Sequence, residues 1–459
     1  MKKSVLTLIL IATSLNFVSA QTLTVLSTPD DTYGLLITCM SHDGHWVGGT
    51  TYAAQMFVAD WANDSITHSS EASDVYGAYI NGISNSGLGV GYDGPAVSYD
   101  IEGTRTVIQA DENSAYYIAY GITDDDSTIV GCRVTNSYIQ NACYWKNGEL
   151  TMLPMATSSE IGFSISGSCA THISADGSII LGYVVDMKST YPAVLWRWTD
   201  DGYALDTICK GMFHPQTDDE NGNVIDSGEP YTTFSSVNMS ENGKYVLLSV
   251  AEALSIDSVF YKNTLFLWMA VTSGEQKAAI YDTETEELTI FTVDGSTGID
   301  SLTALQPYAI ANDGTIVGFN SDYSERYGFI IPAGQTQPIL LTDYFPTLDL
   351  STWQNDTYNY NCPAAISADG RYIAGFGLDN AYSLYESWII DTQGVASDDE
   401  GSDDEESDEE SGIKLLSASG TETTVRTYFS VDGRRMNTPA KGLNILRMSD
   451  GTTKKVVIK

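Results

Sequence analysis

The chain has 459 residues, 22 Lys and Arg against 60 Asp and Glu, and a net charge of −38. So acidic a surface repels phosphate backbones and anionic lipid heads. That argues against nucleic-acid and direct membrane binding and favours cations, basic partners or neutral ligands.

Residues 1–20 read as a secretory signal peptide. Lys2 and Lys3 supply the positive start, Val5 to Ile11 the apolar stretch, and Val18-Ser19-Ala20 the cleavage site before Gln21. No later apolar run approaches about 18 residues, so no transmembrane segment is expected in the mature chain. Export places the protein outside the cell, secreted or on the outer surface. A short strand, Thr22 to Leu26, follows with no obvious partner nearby.

From Cys39 to Phe376 one phrase recurs seven times, beginning at Cys39, Gly82, Gly121, His172, Asn238, Ala309 and Ala365. Its clearest copy, AISADGRYIAGF, is an extended segment, a Ser-x-Asp-Gly reversal and a β-branched run ending in Gly375. Gly supplies the positive φ of a tight hairpin, and the repeat Asp residues (Asp176, Asp313, Asp369) are turn formers. A third strand follows in most copies: Met56 to Trp61, Ala142 to Asn147, Ala193 to Trp198, Leu265 to Ala270, Gly328 to Ala333 and Glu386 to Asp391. Fourth strands are expected at Glu149 to Leu153, Tyr203 to Ile208 and Glu287 to Phe291. Four-stranded units at this period specify an all-β fold, a seven-bladed β-propeller over residues 21–395. The seventh unit lacks a fourth strand, so Thr22 to Leu26 is expected to complete it and close the ring.

The glycine ending the second strand (Gly48, Gly91, Gly131, Gly182, Gly318, Gly375; Leu248 in the fifth copy) is expected to let neighbouring sheets approach. Trp61, Trp145, Trp196, Trp268 and Trp388 are expected to pack between blades. Of the six cysteines, Cys132 and Cys143 flank one hairpin; they could form a disulfide or remain buried thiols.

Within the insertion Asp218 to Glu229, the oxygen-bearing Asp219, Asn221, Asn223 and Asp226 surround Gly222 in the manner of a calcium loop. An Asn221-Gly222 hairpin turn explains the same residues. His42 and His45 border the first turn, as a weak metal pair or as surface residues; His172 is placed to face the channel. The aromatic-amide loop Trp353 to Asn361 could stack on sugar rings, or its rings could be ordinary packing. No GxSxG, HExxH or phosphate loop occurs, so no catalytic residue is assigned.

Ser397 to Gly412 is a low-complexity run; Asp398 to Glu410 holds ten acids and no base. Residues 396–412 therefore read as an acidic disordered linker. Residues 413–459 form a small basic β-module, expected as a sandwich from the alternation in Val425 to Val431 and Leu443 to Met448.

The repeated IS-x-DG-x-x-I-x-G phrase resembles that of bacterial extracellular propellers of the lactonase-like and related repeat families, over residues 22–394. That resemblance implies the architecture, in families that include hydrolases, lyase components and binding modules. The tail, through Asp432-Gly433-Arg434-Arg435, Lys441-Gly442-Leu443 and the closing Lys454 to Lys459, resembles the C-terminal sorting domain of Bacteroidetes type IX secretion cargo. It implies handling by the type IX machinery and delivery to the cell surface; a small stabilising module without that role is the other reading. The expectation is an exported binding protein for a glycan or protein ligand. A hydrolase or lyase acting on glycans or lactones is the alternative.

Overall fold

The computed structural model describes residues 21–393 except 27–33, 64, 69–76, 109–113, 158–164, 187–191, 209–216, 219–223, 226–230, 258–268, 292–304, 323–324, 356–357 and 379–384. In the tail it describes 425–429, 435–436, 442–448 and 453–458. The signal segment, the acidic linker and the calcium-loop residues Asp219, Asn221, Asn223 and Asp226 lie outside the described residues. The chain divides into two compact units between Ser397 and Asp398.

The first unit is a propeller of seven four-stranded antiparallel sheets. The inner strands are Leu35–Met40, Tyr79–Ile83, Ser114–Ile122, Ile165–Ile173, Tyr231–Met239, Leu305–Ile310 and Asn361–Ile366. The seventh sheet takes its outer strand from the start of the chain. Thr22–Leu26 pairs with Tyr385–Asp391 in the register Thr22↔Asp391 to Leu26↔Ser387. A second tie crosses the same seam. The buried Ser387 hydroxyl donates to Leu35 O at 2.8 Å and accepts from Ile37 N at 3.3 Å, joining the last blade to the first.

The apolar clusters each span a blade boundary. One joins Val130 and Ala142 of blade three to Ile180 and Trp196 of blade four. Another joins Ile330 of blade six to Trp388 of blade seven. The tryptophans thus pack between blades, but not at one equivalent position. Trp145 and Trp196 oppose Ile129 and Ile180, whereas Trp388 opposes Gly375 and Trp61 begins a 3-10 turn beyond its strand. Trp268 lies outside the described residues.

Several expectations are corrected. In blade five the third strand is Met269–Asp282, with Ala278 to Tyr281 carrying the outer pairing, so Leu265 to Ala270 is not the equivalent of the other third strands. The long partners Tyr245–Asp257 and Met269–Asp282 displaced the register by extending this hairpin. Cys132 opposes Ala142 while Cys143 opposes Gly131. With a side-chain period of two, the two thiols point to opposite faces, and both are buried outside any disulfide. The tail forms a single four-stranded antiparallel sheet, in the order Arg435–Met436, Val425–Phe429, Gly442–Met448, Thr453–Ile458, in place of the expected sandwich.

Most of the closing glycines answer to their own blade. A Cβ on Gly91, Gly131 or Gly182 would stand 1.9, 2.0 and 2.0 Å from the carbonyl oxygens of Tyr79, Ile118 and Cys169 on the paired inner strand. Blade one uses Gly49 in this way (2.0 Å from Leu36 O), and Gly48 makes room for Ile80 of the next blade. Nothing in the structure explains how Leu248 is accommodated in blade five.

Ring closure generates a prediction. Removing residues 21–28 leaves Tyr385–Asp391 an open edge and should lower the melting temperature by many degrees. Ser387→Ala strands a buried amide and carbonyl and should cost about 2 kcal/mol in denaturant unfolding. A full-length melt from the truncated chain would refute closure by this strand.

Candidate functional site

The repeated turn explains itself atom by atom. In blade seven the Ser367 hydroxyl donates to Asp369 Oδ1 at 2.6 Å and accepts from Tyr372 N at 2.9 Å; Arg371 N then donates to Asp369 Oδ1 at 2.9 Å. The same set recurs around Ser41, Thr123, Ser174 and Ser240. Gly370 sits at φ +73°; in blade three, where no glycine is available, Asp126 takes φ +58°. Both conserved-in-pattern polar residues are therefore consumed by the backbone.

The residue between them is left over, and it builds a closed belt. Ala368 N donates to His42 O (2.8 Å), Asn312 N to Ala368 O (2.9 Å), Ala175 N to Glu241 O (2.8 Å) and Asp124 N to Ala175 O (3.4 Å). Side chains complete the circuit: Asp43 N to Asn85 Oδ1 at 3.0 Å, Ser86 Oγ to Asp126 Oδ2 at 2.8 Å, and Asn242 N to Asn312 Oδ1 at 2.9 Å. Every blade is thus linked to the next at one end of the channel.

Across that end the belt brings together His42, Asp124 and Glu241. His42 Nδ1 lies 2.5 Å from Asp124 Oδ1, and its Nε2 contacts Glu241 Oε2. Burial works to lower the His42 pKa, but Glu241 and Asp124 outweigh it and raise it to about 9. Burial raises the Glu241 carboxyl, against the opposing pull of His42. His42 is therefore an imidazolium clamped by two acids, contrary to its expected place as a surface residue or half of a metal pair with His45. His45 points elsewhere, half-exposed, 3.3 Å from Asp60. Both nitrogens of His42 face carboxylates as ion pairs, and the Nδ1 contact with Asp124 lies outside hydrogen-bond geometry. Among the described residues no His, Cys, Asp and Glu side chains are arranged to hold a metal ion.

A second ring lies further along the axis. Every inner strand has a β-bulge three residues before its turn, and the extra residue is Thr38, Asn81, Tyr120, Thr171, Val237, Tyr308 or Ala364. Bulges re-aim side chains, and these bulges line the channel with residues that vary from blade to blade. Thr38 Oγ1 donates to Ile80 O at 2.5 Å and Asn81 Nδ2 to Ala119 O at 2.8 Å, tying successive blades. A cavity of about 390 Å³ opens between Thr38, His172, Ser236, Asn238, Gln306 and Tyr308. His172 faces it, as the sequence suggested. Burial lowers its pKa to about 4, so the ring is neutral at pH 7, with Nδ1 3.0 Å from Thr171 Oγ1. Ser236 Oγ is buried and has no hydrogen-bond partner within the protein.

In the loop Trp353 to Asn361 two side chains serve the fold. Trp353 is buried against Trp388, with ring centroids 6.2 Å apart, and Gln354 Oε1 accepts from Gly328 N at 3.1 Å and Asn361 Nδ2 at 3.3 Å. Trp353 and Gln354 are spent on the seam between blades six and seven. Around the calcium-type insertion, Thr217–Asp218 pairs with Val224–Ile225.

No protein-family model matches the chain, and no curated protein sequence matches it. Solved structures with a similar fold include an oligogalacturonate lyase in complex with manganese (13% identity, TM-score 0.48, covering 80% of this chain and 92% of that one). A second is oligogalacturonate lyase from Vibrio parahaemolyticus (11%, 0.46, 81% and 97%). A third is TolB from Acinetobacter baumannii (10%, 0.36, 65% and 66%). No helix among the described residues is long and apolar enough to cross a membrane.

The clamp makes stability depend on pH in a defined direction. The folded pKa of His42 lies above its unfolded value near 6.5, so its contribution is complete below pH 6.5 and lost as pH rises through about 9. The loss should be on the order of 3 kcal/mol. Unfolding of the wild type measured from pH 6 to 10 should show this decline. His42→Gln should flatten it and be less stable at pH 7, because two carboxylates then face each other. Parallel pH curves for the two proteins would refute the clamp.

Proposed function

We propose that the protein is an exported binding protein that holds a glycan in the propeller channel. The observation that carries this reading is the cavity of about 390 Å³, lined by Thr38, His172, Asn238, Gln306 and Tyr308 beside the smaller apolar Val237, Pro307 and Ala364. Such walls suit a neutral polyol, whose hydroxyls donate and accept in every direction, and the exposed ring of Tyr308 offers a stacking face. The acid–base groups nearby are committed elsewhere: His42 is neutralised by Asp124 and Glu241 at the channel end.

Export is supported by the Lys2-Lys3 start, the apolar stretch and the Val18-Ser19-Ala20 site. Handling by type IX machinery and residence at the cell surface are supported by the tail residues from Asp432 to Lys459, and a Bacteroidetes source goes with that reading. The domain limits proposed from composition (1–20, 21–395, 396–412 and 413–459) and a calcium ion at Asp219, Asn221, Asn223 and Asp226 belong to the same proposal. An extracellular hydrolase or lyase is the second reading, and the neutral His172 in the cavity is the group that favours it.

The test is a glycan array probed with the mature chain, followed by calorimetry on the retained glycans. Tyr308→Ala and His172→Ala should each weaken binding about tenfold or more, with the glycan recovered intact. An empty array, or unchanged affinity in both variants, overturns the binding reading. Glycan cleavage that His172→Ala abolishes replaces it with the enzymatic one.

A further inference from the structure

One arginine in this acidic chain is held over aromatic rings. Among the described residues Arg105, Arg197, Lys244 and Arg371 each meet a carboxylate. Arg326, at the start of the third strand of blade six, meets none among those residues. Its guanidinium lies over the rings of Tyr360 (4.7 Å) and Phe319 (5.2 Å), and Nη1 is 3.7 Å from Cys362 Sγ. The adjacent acid does not serve it: Glu325 is engaged by the Tyr327 hydroxyl, and alternation along the strand sends Glu325 and Arg326 to opposite faces.

The rings around Arg326 form a continuous arc. From the exposed Tyr52 the contacts run to Tyr385 (6.1 Å), to Tyr360 (5.9 Å), across Arg326 to Phe319, and on to Tyr308 (5.5 Å), which lines the cavity. Tyr52, Tyr360, Arg326 and Tyr385 sit where second strands end and inner and third strands begin, the side of the ring opposite the belt turns, and Phe319 and Tyr308 lie further along their strands. The arc therefore leads from the rim of that face to the channel.

We propose that this arc is an extended glycan subsite and that Arg326 selects a ligand bearing a carboxylate. The inference rests on the glycan reading of the channel and names the class of sugar: a uronate. A planar guanidinium held flat between rings keeps its edge donors for one bidentate acceptor, and a carboxylate matches that fork. A single positive charge set among so many acids compensates a single negative charge; a dianionic phosphate would carry an uncompensated second one. The flanking rings give the sugar its apolar contact.

The test compares a glucuronate-containing oligosaccharide with its carboxyl-reduced neutral counterpart by calorimetry. A sulfated oligosaccharide of equal length is the third probe. The wild type should bind the carboxylate form about tenfold more tightly than the reduced form, with that preference shrinking as salt is raised. Arg326→Gln should remove the preference, Arg326→Lys should retain only part of it, and Arg105→Gln, which removes the same charge from a paired surface site, should keep it in full. Thermal melts of the two Arg326 variants verify folding, and Arg326→Lys keeps the comparison valid if Arg326→Gln fails to fold. Equal binding of the two sugars by the wild type overturns the assignment of Arg326 and leaves the glycan reading standing. Tighter binding of the sulfated sugar overturns the choice of carboxylate. Binding of none of the three probes, together with an empty array, removes the glycan reading itself.

Discussion

The hydrogen-bonded belt of seven turns is the constraint on which the rest of the structure depends. Five of the seven turns are first made rigid within their blades, because a Ser or Thr hydroxyl and an Asp or Asn oxygen bind the local backbone. Only a rigid turn can present its middle amide and carbonyl to the next blade at a constant height. The belt then holds the seven inner strands in step, and with them the bulges that line the channel. The six outer seams and the closing seam are chemically alike at this end. At the periphery they differ, since only the seventh sheet borrows a strand from the beginning of the chain.

This division of labour separates fold from function within a dozen residues. The Ser and Asp of the repeat are spent on the turn, and the closing glycine is spent on the tight approach to the bulged strand. What varies are the turn's middle residue and the residue three before the Ser. The first gives the belt its single charged constellation, His42 with Asp124 and Glu241. The second gives the cavity an uneven wall: Thr38 supplies a small polar group, Val237 an apolar one and Tyr308 a ring, and Ala364 leaves space. An identical backbone ring thereby becomes an asymmetric site without any change in the scaffold.

The blade count, the closing strand and the turn chemistry were readable because they depend on local residue types at fixed spacing. The site was readable only in part. His172 could be placed by its position in the repeat, but Asp124 and Glu241 come to His42 from blades three and five, and nothing in one copy announces a partner so far along the chain. The signal was present in the aligned copies: the middle turn position holds His, Asn, Asp, Ala, Glu, Asn and Ala, too varied for a structural slot. Misreadings had physical causes. Cys132 and Cys143 looked opposite by loop length, yet a one-residue register difference puts them on different faces. In the loop Trp353 to Asn361, composition did not show that burial at a blade seam takes up Trp353 and Gln354. In blade five the long hairpin moved the third strand beyond the tryptophan that seemed to mark it.

The charge of the molecule also gains a local meaning. A chain of net charge −38 can keep an arginine away from every neighbouring carboxylate only by geometry, and the rings of Phe319 and Tyr360 provide it. The two ends of the channel are accordingly unlike: a self-neutralised His42 clamp at the belt, and an open aromatic rim with a cation on the other side.

Residue-resolved hydrogen exchange of the belt amides tests the account most directly. The amides of Ala175, Asn312 and Ala368 lie in turns, where exchange is ordinarily fast, but here each donates across a blade boundary. They should exchange as slowly as amides within the inner strands, opening only with the ring as a whole. Exchange at the rate of the exposed hairpin amide of Gly148 would contradict the belt and, with it, the placement of the channel residues.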